Sequence, residues 1–295
     1  MDYIPFTGDH DIFNEQINPE GIMKITKHRI DLDHATFDKV DKTSGEFKQG
    51  LPDTIVIHYT AGPSLSSAVN TFKDPSVEAS AHVVIDLDGS ITQLIPFNMV
   101  GWHAGESSWL DRTDLNHYSI GIEIVNAGRL EKTGSVWRSW FGKKYEEDDV
   151  LRAVHRNEDQ ESWWHVYSEK QITATYEICQ QLMASYDITQ ILGHEEISPG
   201  RKSDPGPAFP LDKLRNRLLH SNRKDQNEDE ADSKPGVVTA SSLNIRSGPS
   251  ASTGAIAHPL SKNTKVSILK EQNGWYNVEV KLRGWVSKKY IHETE

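Results

Sequence analysis

Apolar and polar positions along the first 220 residues change period several times, and each change marks an element. Thr54-Ile55-Val56-Ile57-His58-Tyr59 is a nearly continuous apolar run. It has strand length and should be buried on both faces. Residues 64–72 read as a short helix. Val83-Val84-Ile85 and Ile91-Thr92-Gln93-Leu94 flank Asp88-Gly89, the signature of a hairpin. Residues 119–125 alternate, so Ile122 and Ile124 share one face and Glu123 takes the other. Residues 170–186 place Ile172, Tyr176, Cys179, Leu182, Met183 and Tyr186 at helical spacing, a stripe that faces a core. Cys179 belongs to that stripe as a packing residue. A further apolar run, residues 188–192, follows. Strands alternating with helices predict an α/β domain over residues 51–220, with a mixed central sheet flanked by helices. Residues 1–50 read as a polar, irregular N-terminal extension with no role assigned.

The pattern then breaks. Residues 221–236, SNRKDQNEDEADSKPG, are half charged and carry no apolar stripe. Such a segment cannot recover its ordering entropy by burial and reads as a solvated linker. Residues 237–295 differ in kind. Short β-rich runs (243–246, 265–269, 275–280 and 284–286) are separated by Ser247-Gly248-Pro249 and Asn273-Gly274, as a small barrel requires. Eight Lys and Arg against four Glu give this tail a charge of +4.

The whole chain has 295 residues, 36% of them apolar, and a net charge of −11, so the part before the tail carries −15. An acidic protein of this kind is not built to bind nucleic acid through a basic surface. A single cysteine excludes an internal disulfide framework and a cysteine-rich zinc site. No run approaches the ~18–20 apolar residues of a membrane span, so no membrane insertion is expected. Met1-Asp2-Tyr3-Ile4-Pro5 offers neither a basic nor an apolar signal region, and synthesis in the cytoplasm without a classical signal peptide is expected.

Two histidines stand where strands end. His58 closes the first apolar run and leads into Tyr59-Thr60-Ala61-Gly62-Pro63, a sharp turn. His194 follows Gly193 just after the last apolar run. Beyond it, residues 198–207 are too rich in proline and glycine for helix or strand and hold Lys202 and Asp204 two positions apart. A lone histidine at a strand tip is a weak signal, and a lone lysine or glutamate is usually a solvated charge. The blocks around them are more telling. IVIHYTAG, SAHVVIDLDGSITQLIPF, GWHAGES, SIGIEIVNAG and LGHEEISPGRKSDPGPAFP occur in that order. This arrangement resembles the type-2 N-acetylmuramoyl-L-alanine amidases, a family that includes the peptidoglycan recognition proteins. The resemblance runs from about residue 51 to 219. In the tail, LNIRSGPS, NGWYNVEV and GWVSKKYI resemble a bacterial SH3-like domain and imply a small all-β, cell-wall-binding barrel.

The resemblance implies that His58, His194 and Asp204 hold a single Zn2+ per chain, Glu123 is the catalytic glutamate and Lys202 the catalytic lysine. Two neutral imidazoles and one carboxylate suit zinc, with a fourth position left for water. The expected reaction is hydrolysis of the amide between the muramoyl lactyl group and L-alanine of the peptidoglycan stem. Tyr59, His82, Trp102 and His103 lie in blocks that line the substrate groove in similar proteins, with structural hydrogen bonding as the competing role. The aromatic-rich stretch 137–164 either walls the groove or caps the core; the cap is preferred, and His155 and His165 within it are not expected to bind metal. The partners expected are peptidoglycan and muropeptides. A non-catalytic recognition protein, a cytosolic muropeptide-recycling amidase, an endolysin released to the wall and a secreted effector are the alternatives. The full acid–base and ligand set favours catalysis.

Overall fold

The computed structural model describes residues 23–31, 35–220, 234–246, 257, 259–272 and 274–280. The chain forms two compact units, Met1–Ser221 and Asn222–Glu295. The first is built on a six-stranded sheet made of β1 (Ala35–Phe37), β2 (Thr54–Tyr59), β3 (Val83–Ile85), β4 (Ile91–Gln93), β5 (Ser119–Ile124) and β6 (Gln190–Gly193). Their order across the sheet is β6-β2-β5-β3-β4-β1. Neighbours are parallel except β3 and β4, the predicted hairpin, so the sheet is mixed. β2 and β5 are central, as their apolar runs require.

Helices cover both faces. Ile55, Ile57, Ile120, Ile122 and Ile124 pack with Ile172, Ile178, Cys179 and Leu182 of α2 (Glu169–Ser185) and with Leu214 of α4 (Leu211–His220). On another face Val84, Leu94 and Val125 meet Ala68, Val69 and Phe72 of α1 (Leu65–Lys73). Helices α1 and α2 begin on serine caps. Ser64 Oγ accepts from the Ser67 amide, and Ser168 forms a reciprocal capping box with Gln171. Gln171 is also fully buried and donates its Nε2 to the Val125 carbonyl at 2.7 Å, tying the helix start to the end of β5.

Three expectations need correction. The N-terminal extension is not irregular throughout: β1 joins the sheet edge beside β4, Thr43–Glu46 pairs with Met99–Gly101, and Met23 and Val40 are buried. These strands have three or four residues, too few to show a period. The preferred reading of stretch 137–164 as a cap is incomplete. It lies within a five-stranded antiparallel sheet ordered Lys144–Tyr145, Val136–Arg138, Arg129–Thr133, Glu161–His165, Val150–Val154. Trp164 and Trp137 are buried there, whereas Trp140 is exposed.

The third correction concerns the linker. Residues 221–233 lie outside the described residues, but Lys234–Val237 is an edge strand paired with Lys265–Gln272. Pro235 is tolerated because the strand sits at a sheet edge. Gly236 packs so close to Ile268 that a Cβ would lie 2.9 Å from its Cδ1. Lys265–Gln272 continues into Trp275–Glu279 as an antiparallel hairpin. The second unit is therefore all-β where described; the expected strand at 284–286 and the Ser247-Gly248-Pro249 punctuation fall outside the described residues.

Candidate active site

The parallel register of β2 and β5 sets His58 directly beside Glu123. β6 ends at Gly193, and His194 opens the short helix α3 (His194–Ile197). The loop that follows returns Asp204 to the same place. His58 Nδ1 lies 2.9 Å from His194 Nδ1 and 2.9 Å from Asp204 Oδ2, and His194 Nδ1 is 3.0 Å from that oxygen. All three residues are buried.

Hydrogen bonds on the far sides of the rings fix their tautomers. His194 Nε2 lies 3.0 Å from the Ala104 carbonyl, which can only accept, so Nε2 carries the proton. His103 Nε2 likewise donates to the Ser119 carbonyl at 3.0 Å, which leaves His103 Nδ1 to accept from His58 Nε2 at 3.1 Å. Both neutral rings therefore aim bare Nδ1 lone pairs at one point, where a carboxylate oxygen adds another. Burial foremost, then the neighbouring His194, lowers the His58 pKa to about 4, so its ring is neutral at pH 7. Three mutually facing lone pairs, with no proton assigned between the rings, match a cation. His58, His194 and Asp204 are the residues that could hold it.

Glu123 shows the opposite signature. Its Oε2 is buried with no hydrogen-bond partner. Burial, then the Asp204 carboxylate, raises its pKa to about 8, with Lys202 pulling the other way. An unpaired carboxylate whose proton affinity sits near neutral pH suits proton transfer. Glu123 and Lys202 line one cleft of about 820 Å³ together with the three metal-site residues.

The four residues expected to line a substrate groove separate. Tyr59 and Trp102 line the cleft; Tyr59 Oη pairs with Ser203 Oγ at 2.8 Å and Trp102 Nε1 donates to Ser44 Oγ at 2.8 Å. His103 also lines it, but both of its nitrogens are engaged in orienting His58. Its ring lies on the backbone of β5, where a Cβ on Gly121 would come within 2.4 Å of His103 Cγ. His82 does not reach the cleft and is corrected to a structural role. It is fully buried, donates Nε2 to the Met99 carbonyl at 2.8 Å and accepts from the Gly121 amide at 3.0 Å.

Residues 48–207 match the model of the family described as N-acetylmuramoyl-L-alanine amidase, more than half of the chain. The chain belongs to the N-acetylmuramoyl-L-alanine amidase family. The matched span of this amidase-family domain contains all five residues around the cation point and its proton-transfer neighbour. Residues 241–292 match the bacterial SH3 domain. N-acetylmuramoyl-L-alanine amidase AmiD of Escherichia coli K12 is 32% identical over 169 residues, covering 54% of this chain and 51% of that protein. The 1,6-anhydro-N-acetylmuramyl-L-alanine amidase AmpD of Salmonella typhimurium SL1344 is 31% identical over 151 residues, 50% of this chain and 62% of its own. The chain thus spans about half to three fifths of the length of these curated relatives.

One residue important to the amidase-family site gave no signal in the sequence. Glu195, next to His194, is 2% exposed. It accepts from His155 Nε2 (2.7 Å), Arg156 Nε (2.8 Å) and the Gly206 amide (3.0 Å), while its own amide donates to the Asp204 carbonyl at 2.8 Å. It thereby locks both the His194 helix and the Asp204 loop to the turn after Val150–Val154, part of the five-stranded sheet inserted after β5. His155 and His165 are not among the three cation-site residues; His165 Nδ1 accepts from the Ala127 amide.

Proposed function

We propose that this protein is a zinc-dependent peptidoglycan amidase that hydrolyses the bond between the muramoyl lactyl carbonyl and L-alanine of the stem peptide. The observation that carries the reading is the convergence of three cation-ready donors beside an unpaired buried carboxylate, opening on one cleft. His58, His194 and Asp204 would hold the zinc, which would supply Lewis-acid polarisation of the carbonyl and a more acidic water. Glu123 accepts the proton lost by the attacking water and returns it to the departing amine. Lys202, which lines the same cleft, offsets negative charge growing on the carbonyl oxygen. His103 keeps the His58 ring in the tautomer that presents Nδ1, and Glu195 keeps His194 and Asp204 in place.

The test is product chemistry. Incubated with purified sacculi and zinc, the protein is expected to release free L-alanine amino termini with no new reducing sugar ends. Appearance of reducing ends, or of new termini inside the stem peptide alone, would replace this reading with a glycosidase or a peptidase.

The bacterial SH3 unit supports a wall-bound substrate rather than soluble fragments, and we infer action on the wall after release from the cytoplasm. Tethering raises the effective concentration of a second site without any new active-site contact. A chain ending at Ser221 is therefore expected to cleave soluble muropeptides at the full-length rate and intact sacculi several-fold more slowly. The isolated second unit, from residue 234 so that its edge strand is kept, should sediment with sacculi, less so as salt screens its net positive charge. Equal rates of both forms on sacculi, with no sedimentation, would remove the tether from the account.

A further inference from the structure

One end of the cleft is built from the inserted sheet and has no part in the chemistry above. Val136–Arg138 and Lys144–Tyr145 are joined by a tight turn in which the Gly142 amide donates to the Ser139 carbonyl at 2.9 Å. The central positions of such a turn usually hold small or polar residues. Here they are Trp140 and Phe141. Trp140 is 75% exposed, yet its ring is not free: Nε1 donates to the Ala61 carbonyl at 2.6 Å. Ala61 lies three residues beyond His58, so the bond pins the indole to the turn leaving the metal-site strand. Phe141 stands edge-on to it, with ring centroids 5.6 Å apart and an interplanar angle of 87°. Both rings line the cleft that holds His58 and Glu123.

An aromatic ring held open to solvent adds little to folding. Fixing its orientation in advance lowers the cost of binding something against its face. The surroundings select what that is. Among the described residues the acidic side chains lining the cleft are Glu123 and Asp204, both committed to the reaction centre, so they leave an ammonium group little but the ring face itself. The cleft wall beyond Ala61 carries the hydroxyl residues Ser67 and Thr71, with Thr60 just before it. Neutral hydroxyls beside an aromatic face match a pyranose ring, which presents C–H bonds on its faces and hydroxyls at its edge.

We propose that Trp140, braced by Phe141, is a stacking platform for a sugar ring of the glycan that carries the scissile amide. This rests on the amidase reading and adds to it the side of the substrate that the inserted sheet recognises. The platform binds, and takes no part in bond cleavage.

The experiment compares two substrates with the same amide: a disaccharide-peptide, and a lactoyl-peptide that keeps the lactyl carbonyl but lacks the sugar ring. Trp140→Ala is expected to raise KM for the disaccharide-peptide roughly three- to tenfold, the scale of one aromatic contact, with kcat little changed. Its kcat/KM on the lactoyl-peptide should match the unaltered enzyme, and Trp140→Phe should recover most of the lost affinity. A peptide-free glycan oligomer should perturb the tryptophan fluorescence of the full-length protein and perturb that of Trp140→Phe much less. Equal losses on both substrates, or no loss on either, would overturn the platform. So would a selective loss that tracks only the stem-peptide ammonium. If the unaltered enzyme cleaved neither substrate, the amidase reading would fall, while the fluorescence titration would still decide the platform.

Discussion

Glu123→Gln is expected to lower kcat by about 10²–10⁴-fold, the usual contribution of a positioned acid–base group, while the protein still binds zinc. The same change should stabilise the metal-free fold. In the folded protein burial, and then Asp204, hold the Glu123 carboxyl up at about 8, against 4.5 for an ordinary glutamate. Between those two values the folded state keeps a proton that the unfolded state has released. Stability contributed by the protonated carboxyl is thus complete below about pH 4.5 and is lost as pH rises toward 8, by up to a few kcal/mol. Glutamine carries no such titration. Melting curves of the metal-free proteins should therefore show Glu123→Gln gaining on the parent as pH rises from 5 to 9. A variant with near-normal turnover would pass the proton transfer to another group, and a gap independent of pH would contradict the raised pKa.

His58→Ala, His194→Ala and Asp204→Ala should each reduce hydrolysis to background and zinc content from about one per chain to a small fraction of that. A chelator should do the same to the parent protein, reversibly on zinc addition. The effect is large because each substitution removes a ligand and leaves the other two facing one another across the gap. Zinc should also raise the melting temperature of the parent, since a ligand that binds only the folded state stabilises it by mass action. Elemental analysis of the purified variants checks the assignment directly. Full zinc retention by all three would show that the metal is held elsewhere.

The parts of the fold legible in the sequence are those with long, one-sided patterns. β2 and β5 are buried apolar runs, and α2 carries a stripe over five turns; each appears with nearly the expected bounds. The inserted sheet was not legible. Arg129–Thr133 buries only Leu130, and the other strands there have two to five residues with charged positions among them. Their order comes from tryptophans packed between strands, which no local period encodes.

The site divides in the same way. His58, His194 and Asp204 stand at element ends, a weak signal that family resemblance turned into a ligand set. His82 and His103 look alike in sequence, yet one is spent on backbone hydrogen bonds and the other on the tautomer of His58. The difference lies in what each Nδ1 meets, the Gly121 amide for His82 and His58 Nε2 for His103. Glu195 was invisible because its partners His155 and Arg156 come 40 and 39 residues earlier, in the turn that follows strand Val150–Val154.

That separation matters to anyone who would shorten this protein. The inserted sheet looks removable, since it is a separate sheet and, among the described residues, holds none of the three cation-site residues. Its His155 and Arg156 nonetheless hold the carboxylate that sits between His194 and the Asp204 loop, and Arg156 also pairs with Glu196. Excising the insert would strand a buried anion beside His194 and the Asp204 loop, where its charge repels the Asp204 carboxylate. A compact version of the protein would therefore have to be made by paired edits, neutralising Glu195 in the same step that removes its cations.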